Sequence, residues 1–276
     1  MQVEPITVAG VTSPVARAGP EDAREAVVFV HGNPGSWRDW ERVMPAVADF
    51  ARVVAPDMPG FGGADRPREL PYTVEGYARH LDGLLTRLGV DRAHLVLHDF
   101  GGPWGLEWAI GHRDRVASVT LVNTGVLLRY RWHSLARIWR TPVLGEVFQA
   151  TATYRALKLL VNARNPQPLP EAFLRRMWEH SDKASNRAVR KLYRATEPAD
   201  LERRQAPDLR EMRPPALVVW GTGDPYLGPD LAERQREVFP DAEVIGLDGC
   251  GHWPMADDPA RLTATILPFL REQAGG

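Results

Sequence analysis

Three residues far apart in the chain have the types needed to share one reaction. Asp99 closes the run "LVLHD", Asp224 lies in "VVWGTGDP" and His252 in "GCGHWP". Each follows an apolar stretch that reads as a buried strand. One carboxylate can attack an electrophile, and a histidine held by a second carboxylate can then activate water. Taken singly each residue is ordinary: Asp before Pro is usually a turn residue, and His after Gly a loop residue. The set carries meaning only if the fold brings all three to one place.

The elements that must do so are legible. "AVVFVHG", "ARVVAPD", "AHLVLHD" and "VASVTLVNTG" are β-rich runs separated by helical stretches. One of these, "TVEGYARHLDGLLTRLG", is amphipathic, with Thr73 as N-cap and Gly89 at its end. "WERVMPAVADF" also has helical spacing. Alternation of this kind predicts a parallel sheet with helices on both faces. Parallel strands present their C-terminal ends at one edge, where such sheets place ligands. After Asn123 the rhythm breaks, and Leu127 to about Asp200 is helical and rich in Arg and Trp. Strands resume at "PPALVVWGTGDP" and "AEVIGLDGCGHW", with helices expected from about Pro229 to Val238 and from Pro259. The expected organisation is a core of residues 1–125 and 201–276, with residues 126–200 as a helical cap over the strand ends.

In "LVLHDFGG" a strand meets a helix at Asp99, with two glycines following. "HGNPGS", His31 to Ser36, follows an earlier strand, and "DMPGFGGADRP" the next one. In these motifs, and along nearly its whole length, the chain resembles the α/β-hydrolase fold. The resemblance is to the branch with an aspartate where most members have serine: epoxide hydrolases and haloalkane dehalogenases. It implies a mostly parallel central sheet with helices on both faces and an inserted helical cap. The order Asp99, Asp224, His252 matches that fold's order of nucleophile, acid and histidine.

The aspartate itself points to a reaction class. A serine needs a base before it attacks, whereas a carboxylate is already ionised at pH 7. Attack on an acyl carbon gives an anhydride; attack on an sp³ carbon bearing a leaving group gives an ordinary alkyl ester. His252 is then free to activate the water that cleaves the ester, with Asp224 holding its tautomer. The resemblance implies an oxyanion hole from the backbone of Asn33 and Phe100.

The leaving group divides the two branches. Epoxide hydrolases protonate an alkoxide with tyrosines from the cap. Tyr193, in "KLYRATEP" and 31 residues before Asp224, matches one of these, and Tyr154 is the expected second, with Phe148 as the other residue for that position. Dehalogenases use ring N–H donors, commonly a Trp after the nucleophile, where this chain has Phe100. Asn33 resembles the dehalogenase loop, and Trp132, Trp139 and Trp178 are the available indoles. An epoxide hydrolase yielding a vicinal diol is the favoured expectation. A haloalkane dehalogenase is the alternative, and a non-catalytic ligand-binding protein on a hydrolase scaffold a third.

Bulk properties remove other classes. At 276 residues the chain suits one large domain or a core with an insertion. A net charge of −1 provides no overall field for nucleic acid or anionic membrane. No signal peptide or stretch of about 18 apolar residues is apparent. The lone Cys250 rules out an internal disulfide and fits a reducing cytoplasm. His94, His112 and His133 lack metal-ligand spacing, His98 is given no role, and neither metal nor cofactor is expected. "RYRWHSLARIWR" reads as a solvated cap face with a packed aromatic side. The expected partner is a small apolar electrophile, with no nucleic acid or membrane, for a cytoplasmic monomer or homodimer.

Overall fold

Val27, Val28, Phe29 and Val30 are all fully buried, so their strand is covered on both faces. Val28 and Val30 join one apolar cluster, Val27 and Phe29 another. This is the two-residue period of a strand between two helical layers. The computed structural model describes residues 1–274. Its strands are β1 (Gln2–Val8), β2 (Val11–Ala18), β3 (Glu25–Val30), β4 (Arg52–Pro56), β5 (Arg92–His98), β6 (Val116–Val122), β7 (Ala216–Gly221) and β8 (Glu243–Leu247). They form one sheet in the order β1-β2-β4-β3-β5-β6-β7-β8. From β4 to β8 all neighbours are parallel, as expected; β1 and β2 are antiparallel additions at one edge.

Those two strands escaped the sequence analysis, because Met1–Ala26 is polar and dotted with proline. Edge position explains this. Pro5 and Pro14 face each other in the β1–β2 ladder, and the β2–β4 pairing begins only at Val15. Proline is tolerated where a strand does not have to donate into a ladder.

The helices are α1 (Met44–Ala48), α2 (Val74–Arg87) and α3 (Gly101–Gly111) in the first half. Between β6 and β7 come α4 (Ser134–Arg140), α5 (Leu144–Ala150), α6 (Tyr154–Asn162), α7 (Glu171–Glu179), α8 (Lys183–Ala195) and α9 (Pro198–Met212). The chain ends with α10 (Asp230–Arg234), α11 (Pro254–Asp257) and α12 (Pro259–Ala274). The sheet packs on one face against Leu81, Leu84 and Trp104 of α2 and α3. On the other it meets Met44, Val47, Leu262 and Ile266 of α1 and α12. The helical stretch expected around Trp40 is shorter than its pattern: a 3₁₀ turn at Trp37–Trp40 precedes α1. The expected boundary at residue 200 falls inside α9, which packs on α3, where Gln205 Nε2 donates to Pro103 O at 3.0 Å. Among the described residues no helix is long and apolar enough to cross a membrane.

Thr73 caps α2 as its sequence predicts, its Oγ1 accepting from Gly76 N–H at 3.1 Å. Leu84 → Ala, at a fully buried position, is expected to cost ~2–5 kcal/mol of stability, and Thr73 → Ala ~1 kcal/mol. Urea denaturation of both variants checks the ranking.

Candidate active site

The sheet order reverses between β3 and β5, and ligands bind at such a switch point. The loops after these two strands meet there. Asp99 follows β5 with a φ of +48°, a left-handed conformation that is costly for a residue with a side chain. The neighbouring glycines make the turn possible. A Cβ on Gly101 would sit 2.3 Å from Val30 O, and one on Gly102 2.0 Å from Thr124 Oγ1. Gly32 is equally constrained, since its Cβ would lie 2.2 Å from Asp99 Oδ1. The loop from β3 therefore lies directly against the Asp99 carboxylate, and Asn33 N–H donates to Oδ1 at 2.6 Å.

Asp224 and His252 reach the same point from the ends of β7 and β8. His252 Nε2 lies 3.5 Å from Asp99 Oδ2, and Nδ1 bonds Asp224 Oδ2 at 2.6 Å. Asp224 is fixed in turn: Oδ1 accepts from Tyr226 and Leu227 N–H, and Oδ2 accepts from Asn123 Nδ2 at 2.8 Å. Asn123 ends β6 with φ +45° and also accepts from Gly221 N–H. In the sequence Asn123 marks only where the strand rhythm breaks, and an asparagine closing an apolar strand is the signal for its role. His98, also left without a role, donates from Nε2 to the His252 carbonyl at 2.8 Å and so holds that residue's backbone.

Burial alone lowers the His252 pKa, but the carboxylates of Asp224 and Asp99 outweigh it and raise it to about 10. Burial alone raises the Asp99 carboxyl; the bonds from His252 and Asn33 outweigh that and leave it below its ordinary value. At neutral pH the site therefore holds an imidazolium between two carboxylates. Of the two expected oxyanion donors, the Asn33 N–H already contacts Asp99. Phe100 stands at the start of α3, and its N–H makes no bond to that carboxylate among the described residues.

These groups open into a cavity of about 620 Å³. Its other walls come mainly from the segment between β6 and β7 and are largely aliphatic and aromatic. Tyr193 of α8 is buried in this wall. Its hydroxyl accepts from Asn33 Nδ2 at 3.3 Å, and its ring meets Phe100 edge-on at 4.9 Å. Burial, and then the nearby Asp99 charge, raise its pKa well above 10. Tyr154 is not brought to the site. Its hydroxyl donates to Glu171 Oε1 at 2.7 Å on the surface between α6 and α7, and it does not line the cavity. Tyr154 is the first residue of α6, and there its ring lies against Trp178 and Arg175 of α7. Phe148 does line the cavity, as do Trp139 and Trp178. Trp132 lines a small cleft beyond Phe100 and Tyr193.

Several polar cavity residues carry no sequence signal, among them His133, Tyr226, Arg176 and His180. Burial lowers the His133 pKa to about 4. Its Nδ1 accepts from Ala136 N–H at 3.2 Å, so the proton of the neutral ring sits on Nε2. Among the described residues no group of three His, Cys, Asp or Glu side chains could hold a metal ion.

A family model for the alpha/beta hydrolase fold matches residues 25–259. The chain belongs to this family. A 2-hydroxy-6-oxo-2,4-heptadienoate hydrolase of Pseudomonas putida is 29% identical over 267 residues, covering 90% of this chain and 90% of that protein. A haloalkane dehalogenase 2 of Mycobacterium bovis is 27% identical over 270 residues, covering 87% of this chain and 86% of that protein. Among solved structures, the epoxide hydrolase CorEH superposes with a TM-score of 0.84 at 20% identity, over 98% of this chain and 99% of that one, a likeness of fold. The chain is thus a hydrolase of α/β fold whose relatives differ in the bond they break.

If Asp224 sustains the imidazolium, Asp224 → Asn removes a buried negative charge beside it. The His252 ring is then expected to titrate at distinctly lower pH than in the native protein. NMR titration of the histidine ring signals measures this.

Proposed function

We propose that the chain hydrolyses an apolar epoxide to a vicinal diol through an alkyl ester on Asp99. The observation that carries this reading is the bond from Asn33 Nδ2 to the Tyr193 hydroxyl oxygen. That bond occupies the oxygen as acceptor and leaves its proton free to be donated. An alkoxide leaving group needs a proton donor at this position, and a departing halide does not.

The steps follow from the ionisation states. An Asp99 carboxylate oxygen attacks one epoxide carbon, the C–O bond breaks, and the alkoxide takes the Tyr193 proton. Formation of the ester removes the Asp99 charge, one of the two that sustain the His252 imidazolium. His252 then returns a proton to the Tyr193 phenolate and becomes a neutral base. It takes a proton from water as the oxygen attacks Asp99 Cγ. The resulting oxyanion is held by the N–H groups of Asn33 and Phe100, as in other oxyanion holes. Collapse expels the diol oxygen, which takes the proton from His252. The carboxylic acid of Asp99 then passes its proton to His252, restoring the starting state. His133, with its proton on Nε2 and its ring in the cavity wall, supplies the second donor toward the epoxide oxygen that was expected of Tyr154.

One observation favours a haloalkane dehalogenase instead. The indole N–H groups of Trp132 and Trp139 are buried without a partner among the described residues, their rings 5.1 and 5.0 Å from that of Tyr193. Indole N–H groups suit a soft halide. His252 → Gln separates the readings, because the ester forms but persists. After incubation with epoxides, the intact mass is expected to rise by the full mass of the epoxide. Tyr193 → Phe should slow that step by about 10²-fold or more, the scale of general acid catalysis. Adducts from bromoalkanes alone, indifferent to Tyr193 → Phe, would identify a dehalogenase. Failure to form either adduct would leave a ligand-binding protein.

The pH dependence of the two half-reactions should differ. Asp99 stays ionised and Tyr193 protonated across the neutral range, so ester formation should be flat there. Ester hydrolysis needs neutral His252, so its rate should rise with pH and level off above the imidazole pKa of the ester. That pKa lies below the resting value of about 10, since one carboxylate has been neutralised. Single-turnover mixing across pH 5–9 resolves the two phases.

A further inference from the structure

The net charge of −1, from which no membrane partner was expected, is the sum of two unlike parts. Residues 126–200 carry 14 Lys and Arg against six Asp and Glu, a net +8, whereas the rest of the chain carries 20 against 29, a net −9. Within the basic segment three of the six acids are engaged by its own cations. Glu146 holds Arg190 and Arg194, Glu171 holds Lys158 and Arg175, and Glu197 holds Arg140. Arg131, Arg137 and Arg155 are exposed, with no carboxylate partner among the described residues.

The exposed apolar side chains collect in the same segment. Of the six large ones among the described residues, Met1 and Val3 lie at the N-terminus. The other four are Val143 (73% exposed), Leu144 (50%), Val147 (53%) and Leu159 (72%), on or beside α5 and α6. These helices also border the cavity. Ala152, Ala156, Leu159 and Ala163 line it and are themselves exposed, so it opens to solvent along α6.

We infer that the α5–α6 face docks on an anionic lipid bilayer, with the cavity mouth turned toward the acyl chains that hold its apolar substrate. Basic side chains would draw the face to anionic headgroups, and the aliphatic ones would enter the interface. An acidic protein would satisfy the charges. It would not account for bare valine and leucine around the opening of an apolar cavity. The inference rests on the reading above only in taking this cavity as the substrate site.

Vesicle co-sedimentation of the full chain tests it without using catalysis. Phosphatidylcholine vesicles are compared with vesicles containing about one-third phosphatidylglycerol, at low and raised salt. Binding is expected to the anionic vesicles and to weaken with salt. Leu144 → Glu/Val147 → Glu and Arg137 → Glu/Arg155 → Glu should each reduce it by about tenfold or more. None of these four residues lines the cavity, so turnover of a water-soluble epoxide without vesicles should be unchanged, and circular dichroism melting verifies the fold. Equal binding to neutral and anionic vesicles, or binding unaffected by the substitutions, would overturn the inference. So would a dimer in sedimentation velocity that the same substitutions dissociate, with no vesicle binding, since the face would then belong to a second copy. Vesicle binding by a protein that turns over no epoxide would leave this inference standing and remove the proposed reaction.

Discussion

An ion cluster at the inner end of the cavity, with His252 and Asp224 buried, governs the architecture at the strand ends. Asp99, His252 and Asp224 are an anion, a cation and an anion in contact, and charges taken out of water persist only when paired and hydrogen-bonded. Asp224 alone accepts from Asn123, Tyr226, Leu227 and His252. Asp99 accepts from Asn33, and His98 grips the His252 backbone. Removing any of these donors leaves buried charge without compensation, so the loops after β3, β5, β6, β7 and β8 are tied to one another through the cluster.

Backbone conformation carries part of the same demand. Asp99 and Asn123 both adopt left-handed conformations at the ends of β5 and β6. Each aims its side chain where a relaxed strand-to-loop junction would not. The strain is held by glycines with no room for a Cβ and by the Thr124 hydroxyl bonded to the Asp99 carbonyl. In the proposed reaction the cluster also times itself: neutralising the Asp99 carboxylate lowers the His252 basicity that the two carboxylates together had raised, and the base appears only once the ester exists.

The segment between β6 and β7 answers to other physics. It contributes mostly apolar wall to the cavity and, beside Asn33, the buried hydroxyl of Tyr193. Because the hydroxyl oxygen is occupied by an amide donor, its proton has a direction. The same segment carries nearly all the excess positive charge and the exposed aliphatic side chains. The proposed substrate chemistry and the proposed lipid contact thus draw on opposite sides of the same few helices.

Local pattern sufficed for much of this. Continuous apolar runs, the Thr73 cap and the paired glycines after Asp99 are short-range signals, and they identify the parallel strands, α2 and the elbow. The order of Asp99, Asp224 and His252 follows from where those strands end, because parallel strands must present their C-termini together. β1 and β2 carry no such signal, because they form a polar, proline-dotted hairpin at the edge of the sheet, and only the end of β2 pairs with β4. Matching a motif by distance sends Tyr154 to the cavity, but the residue opens α6 where that helix meets α7, and its hydroxyl is taken by Glu171. Asn123, His133 and Tyr226 enter the site only through loop geometry, which no spacing encodes. The total charge was equally silent, since a sum has no position. By itself the sequence determined the parallel strands, the elbow and the convergence of Asp99, Asp224 and His252, all of which arise from local periodicity and strand polarity. Only the tertiary structure decided which side chains face the cavity, and on which surface the charge and the bare apolar groups gather, because both depend on how separate helices are rotated against one another.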